Sequence, residues 1–136
     1  MILPLATCSY AEFTPSMGVP VRSTVGAPRY RLPYKLAGHA KLITPTRPML
    51  NLERAPYRHA YTELLDGHGA DNIAAELTEI ARTADATPGD RLVLLCFDVL
   101  SKPDVWCHRR MFAVWWLAQH AQEVPELGKT TPRLLF

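Results

Sequence analysis

Residues 91–117 read RLVLLCFDVLSKPDVWCHRRMFAVWWL, and this stretch decides the fold. Its 92–97 portion is an unbroken apolar run. A run of that length, apolar on both alternating faces, predicts a central parallel strand over 91–98 covered by helices on both sides. The strand ends in Cys96 and Asp98. A short loop follows, and Cys107-His108-Arg109-Arg110 opens a helix predicted over about 108–122, stopped by Pro125. Met111, Phe112, Val114, Trp115, Trp116 and Leu117 make that helix apolar nearly all round, which predicts deep burial or a partner interface. Open α/β sheets collect ligands beyond the carboxyl ends of their strands, and helix N-termini offer unpaired N–H donors there.

Upstream, short strands are predicted at 2–7, 19–25 and 40–44. The last two are closed by Gly26-Ala27-Pro28 and by Pro45. A helix begins at Pro56-Tyr57, carries Tyr57, Tyr61 and Leu64 on one face, and ends at Asp66-Gly67-His68-Gly69. Asp71 or Asn72 caps the next helix, with Ile73, Leu77 and Ile80 as its buried stripe. Residues 133–136 can form a last edge strand. Strands alternating with helices predict one α/β domain over 1–136, a small three-layer sandwich with a mostly parallel sheet. Most of the 12 prolines precede residue 60, so the first half is short strands and ordered loops rather than long helices.

A chain of 136 residues that is 48% hydrophobic can bury a core as a single domain. The net charge of +2, with both signs interspersed, gives no electrostatic footprint for nucleic acid or a membrane surface. No apolar run approaches the ~18 residues of a membrane span. The first ten residues lack the charged start of a secretory signal. Three cysteines, an odd and sparse set, predict reduced thiols and a cytoplasmic protein.

The chemistry-bearing residues cluster around the opening stretch. A helix dipole and the neighbouring His108 and Arg109 favour a thiolate at Cys107, the setting of a nucleophile, whereas the bland alternative is a small packed residue. His108 titrates near neutrality and can act as acid or base, or can simply face solvent. Asp98 can orient His108 or hold a hydroxyl, or can cap a turn. Arg109 or Arg110 can clamp an anion, but successive helical residues diverge, so only one enters a given cleft. Trp106, just before Cys107, is the aromatic residue best placed to touch a ligand. A phosphatase loop needs Arg six positions after its Cys, and Ala113 stands there. Cys8, Cys96, Cys107 and His108 can converge on zinc, but no Cys-x-x-Cys pair exists and adjacent Cys-His residues seldom share a metal, so no metal and no cofactor are expected.

The segment LLCFD…CHRR with its aromatic helix resembles the C-terminal signature of the domain-of-unknown-function 488 family, through Cys96, Asp98, Cys107, His108 and Arg109. Thr7-Cys8-Ser9-Tyr10 and Arg22 with Gly26-Ala27-Pro28-Arg29 are similar to the family's first and second strand ends. Asp98 stands where Glu is usual. The resemblance implies an α/β fold and a shared polar site, and it favours Arg109 over Arg110 and adds Cys96 to the site. It supplies no reaction. Two functions are carried forward. One is a small enzyme or binder of an anionic, nucleotide-like ligand, with Cys107, His108 and Asp98 catalytic and Arg109, Arg22, Ser9, Tyr10, Cys96 and Trp106 binding. Acyl or glycosidic transfer through the nucleophile would be its chemistry. The other is a non-catalytic viral or mobile-element (phage) accessory protein that binds a host protein. A homodimer is compatible with either.

Overall fold

The computed structural model describes residues 3–87, 89–101 and 104–129. Four strands, β1 (Leu5–Ser9), β2 (Val19–Arg22), β3 (Gly38–His39) and β4 (Leu92–Cys96), form a sheet in the order β1-β4-β2-β3 with every pairing parallel. Three α-helices accompany it: α1 (Arg54–His68), α2 (Ala70–Thr83) and α3 (His108–His120). The domain is α/β, as the alternation of patterns predicts.

The apolar run became β4, which lies between β1 and β2 and is buried at every position. Its two faces meet different material. Leu92 and Leu94 share a core with Leu5, Val21, Tyr61, Leu65, Ile73, Leu77, Phe112 and Trp116, which is the helical side. Val93 and Leu95 pack instead with Ala6, Cys8, Tyr10 and Phe13, with Met17 from a short 3₁₀ turn, and with Leu32, Tyr34 and Leu36 from irregular chain. The expected helices on both sides are therefore corrected to helices on one side and ordered coil on the other. The reason lies in the connections. The chain between β1 and β2 is short, holding only a 3₁₀ turn over Pro15–Met17, and that between β2 and β3 holds Pro28 and Pro33, so neither winds an α-helix. The link from β3 to β4 is long enough for α1 and α2.

Gly18, at φ 144°, turns the chain into β2 so closely that a Cβ there would lie 2.6 Å from the Arg91 carbonyl oxygen. Gly69, at φ 85°, separates α1 from α2; α1 runs through Gly67 before ending, and Asp71 lies in the first turn of α2 rather than capping it. The expected strand at 40–44 is a 3₁₀ turn over Lys41–Ile43, whose Ile43 carbonyl accepts a 2.6 Å hydrogen bond from the buried Tyr61 hydroxyl. The expected edge strand at 133–136 lies outside the described residues. Residues 125–127 instead run along the free edge of β1: Thr7 N–H donates to the Pro125 carbonyl and Leu127 N–H to the Thr7 carbonyl.

The last helix is buried through Phe112, Ala113, Trp115 and Trp116, while Val114 and Leu117 face outward. Its apolar character is thus mostly core. Among the described residues no helix is long and apolar enough to cross a membrane.

Leu94 is fully enclosed at the centre of the helical face, so Leu94→Ala should cost about 2–5 kcal/mol. Val114→Ala on the outer side of α3 should stay within ~0.5 kcal/mol of the parent. Urea unfolding midpoints for both variants check the contrast.

Candidate functional site

Strand parity positions the site. Cys96 continues the Leu92–Leu94 alternation, so the pleat aims it at the helical layer, where α3 begins. Cys107 is the N-cap residue of α3, with extended backbone (φ −147°, ψ 145°), and His108 is the first helical residue. Cys96 and Cys107 are joined by a disulfide across 7.4 Å between their Cα atoms. This corrects the expectation of reduced thiols: the odd count left Cys8 over rather than leaving all three unpaired. Cys8 lies on the opposite face of the sheet among coil residues, and burial pushes its thiol up to about 11.

Beyond the carboxyl ends of β2 and β4 opens a cavity of about 440 Å³. Thr24, Val25 and Gly26 form one wall, Phe97 and Asp98 with the Cys96 side chain another, and Val105 to His108 a third; Pro45, Leu50, Tyr57 and Asp104 complete it. Five expected site residues, Cys96, Asp98, Trp106, Cys107 and His108, therefore share one space. Trp106 stands edge-on to Tyr57, with ring centroids 4.9 Å apart.

His108 is oriented by the chain end of β2. Its Nε2 lies 2.8 Å from the Ser23 carbonyl oxygen and 3.3 Å from Ser23 Oγ, whose own hydroxyl donates to the Leu95 carbonyl. A carbonyl only accepts, so Nε2 carries the proton and Nδ1 presents its lone pair, 3.8 Å from Cys107 Sγ. Burial lowers the imidazole pKa to about 4, against the Ser23 bond and with the help of the Arg109 charge. His108 is thus a neutral acceptor near pH 7, not a solvent-facing histidine. Asp98 Oδ2 lies 3.6 Å from Cys96 Sγ, and burial raises the Asp98 carboxyl above its ordinary value while Arg109 opposes the rise. Burial, then the Asp98 charge, pushes the Tyr57 hydroxyl up, so it stays protonated and able to donate.

The remaining expected residues do not reach the cavity. Arg109 is buried, with Nε and Nη2 on the Glu126 carboxylate (2.9 and 3.1 Å) and Nη1 on the Asp98 carbonyl (2.8 Å). It braces the β4 exit against α3 instead of meeting an anion. Arg110 bonds Thr7 Oγ1 and the Val124 carbonyl. Arg22 donates to the Thr24 and Val25 carbonyls and so shapes the wall that those residues form. Ser9 Oγ donates to Glu12, and Tyr10 shares a 2.8 Å hydrogen bond with Thr24 while its ring packs on Phe97. Among the described lining residues there are two carboxylates and no arginine or lysine.

Sequence reasoning missed Ser23, Tyr57 and Glu126. Tyr57 was legible only as a helix-face aromatic. Nothing local marks Ser23, which acts through its backbone, or Glu126, which meets Arg109 from 17 residues downstream. Adjacent Cys107 and His108 nonetheless bring their ligand atoms to one place. Cys107 is still extended when His108 enters the helix, and the ligand atoms of Cys96, Cys107 and His108 lie within 4.8 Å of one another. Comparison of the chain with family models, with curated proteins and with solved structures returns no match, so the Cys-His-Arg resemblance rests on its own residues.

Two outcomes follow from this geometry. A histidine held at about 4 binds fewer protons folded than unfolded between that value and ~6.5, so stability falls as pH drops through this window. The loss should be on the order of 3 kcal/mol, and urea midpoints of the oxidised, metal-free protein between pH 7.5 and 4 should show it, with a shallower slope in His108→Gln. Removing the partner of the buried guanidinium, in Glu126→Ala, should cost about 3–5 kcal/mol by the same assay.

Proposed function

We propose that this protein is a small cytoplasmic thiol–disulfide exchange enzyme, with Cys107 as nucleophile, Cys96 as resolving thiol and His108 as proton acceptor. The observation that carries the reading is the Cys96–Cys107 disulfide on the wall of a cavity, with the bare His108 Nδ1 beside the Cys107 sulfur. In the cytosol, disulfides are characteristically transient and catalytic, which agrees with a pair at a cavity rather than one stapling the core. The N-cap position of Cys107 adds the favourable end of the helix dipole to a developing thiolate.

The steps balance without an outside cofactor. Cys107 sulfur attacks one sulfur of a substrate disulfide as His108 Nδ1 accepts the thiol proton. The substrate's first half leaves as a thiolate, takes that proton, and a mixed disulfide remains. Cys96 then attacks the Cys107 sulfur, and the second half leaves as a thiol carrying the Cys96 proton. The substrate disulfide is reduced to two thiols, and the Cys96–Cys107 dithiol is oxidised to the disulfide. A low-molecular-weight dithiol returns the pair to its starting state by the reverse exchange.

The substrate differs from the anionic, nucleotide-like ligand that the sequence led us to expect. Both arginines expected to bind it are engaged elsewhere, and the walls offered by Trp106, Tyr57, Phe97, Val105 and Leu50 suit an apolar or aromatic body.

Reduced protein mixed with dithiodipyridine should form the Cys96–Cys107 disulfide and release two pyridinethione equivalents per molecule. Cys96→Ser should trap the mixed disulfide on Cys107, Cys107→Ser should abolish release, and Cys8→Ser should leave it unchanged. His108→Ala should slow the first step by about 10²–10⁴-fold near pH 7. Absence of any adduct in folded Cys96→Ser, checked by mass and circular dichroism, removes the reading.

A further inference from the structure

We propose that, once reduced, Cys96, Cys107 and His108 form a binding site for a zinc-class divalent cation, with its fourth coordination position open to the cavity. The inference goes beyond disulfide exchange but uses the same three side chains, and rests with it on the requirement that the two thiols can be reduced.

The ligand atoms, two sulfurs and Nδ1, lie within 4.8 Å of one another. Ligands of tetrahedral zinc, with Zn–S ~2.3 Å and Zn–N ~2.0–2.1 Å, stand ~3.5–3.8 Å apart. Cys107 Sγ and His108 Nδ1 already stand at 3.8 Å. The sulfurs must part, with Cys96 Sγ staying close to Nδ1, and the backbone leaves room for that. The Cα atoms of Cys96 and Cys107 are 7.4 Å apart, wider than the ~4.4–6.8 Å usual for bridged cysteines. Side-chain rotation alone can then take the thiolates to metal spacing.

The outer partner is in place as well. A ligating histidine ordinarily donates its other N–H to a carbonyl or carboxylate, which fixes the tautomer and turns the ligating nitrogen toward the metal. The Ser23 carbonyl does this at 2.8 Å from Nε2. Because all three ligands line the cavity, the fourth position would be reached from it, and Asp98, whose Oδ2 is 3.6 Å from Cys96 Sγ, lines the same cavity. Two thiolates and an imidazole are a soft donor set that favours zinc over magnesium or calcium. Three protein ligands with one open position is the arrangement of catalytic rather than structural zinc. Cys8, on the other face of the sheet, takes no part.

Metal and disulfide exclude each other. A zinc-bound dithiolate plus a small disulfide and two protons gives the Cys96–Cys107 disulfide, two small thiols and free zinc.

The test uses the whole chain, reduced anaerobically and freed of reductant, titrated with cobalt(II) as the spectroscopic probe. One equivalent should produce sulfur-to-cobalt charge-transfer absorption with the intense visible bands of a tetrahedral site, displaced by one equivalent of zinc. Cys8→Ser should behave as the parent. His108→Ala should weaken cobalt binding by more than the ~10–100-fold that loss of an outer partner costs. Reduced parent protein that is folded by circular dichroism and exchanges with dithiodipyridine, yet gives no charge-transfer band, overturns the metal site and leaves the exchange reading intact. A one-to-one cobalt spectrum from protein that fails the exchange assay supports the metal site and removes the exchange reading.

Discussion

One buried guanidinium holds the cavity end of this domain together. Arg109 is 1% exposed, and an unpaired charge at that depth would be costly enough to unseat its surroundings. Its donors are satisfied by Glu126 and by the Asp98 carbonyl, while Glu126 in turn accepts from Thr7 Oγ1 in β1 and from the Gly128 N–H. The start of α3, the exit of β4, the outer strand and the segment at 125–127 are therefore coupled through one ion pair. Each partner fixes the others' positions because none can move without stranding a charge. The cavity walls hang on this frame, and the Cys107-His108 dipeptide owes its place to the residue that follows it.

The fold was legible where periodicity was strong. Leu92–Cys96, apolar on both faces, could only be an inner strand, and Ile73, Leu77 and Ile80 could only be the buried side of a helix. What covered the second face was not legible, because coil that packs through Tyr34 and Leu36 carries no period to read. The Lys41–Ile43 turn had the composition of a strand but serves as an acceptor platform for Tyr61, a tertiary demand that overrides local preference. At the site, residue types singled out Cys107, His108, Asp98 and Trp106, the family resemblance added Cys96, and these five line one space. They misassigned the arginines, since a guanidinium reads the same in sequence whether it will meet a ligand or a buried carboxylate. Strand parity was the one unused signal: counting by twos from Leu94 puts Cys96 among the helices, while its neighbours Val93 and Leu95 share the other face with Cys8.

The two chemistries proposed for Cys96, Cys107 and His108 are compatible with one geometry because that geometry is set by backbone rather than by the three side chains themselves. Cys96 is fixed by the sheet, Cys107 by the entry into α3, and His108 by the Ser23 carbonyl at the end of β2. Three separate elements therefore converge on a point that none of them occupies. The proposed sulfur and metal chemistries would draw on the same convergence, with the electron count of the pair deciding which is open at a given moment.

The pairing of residues 125–127 with β1 gives the sheet's outer edge and the cavity a common dependency. Glu126 serves as the side chain of an edge-covering segment and as the counter-ion of the site's brace. Whatever peels that segment from β1, whether a protease nick, a fusion partner or a competing strand, also withdraws the carboxylate from Arg109. Events at the margin of the sheet are thereby transmitted to its cavity end, although no part of the cavity is touched.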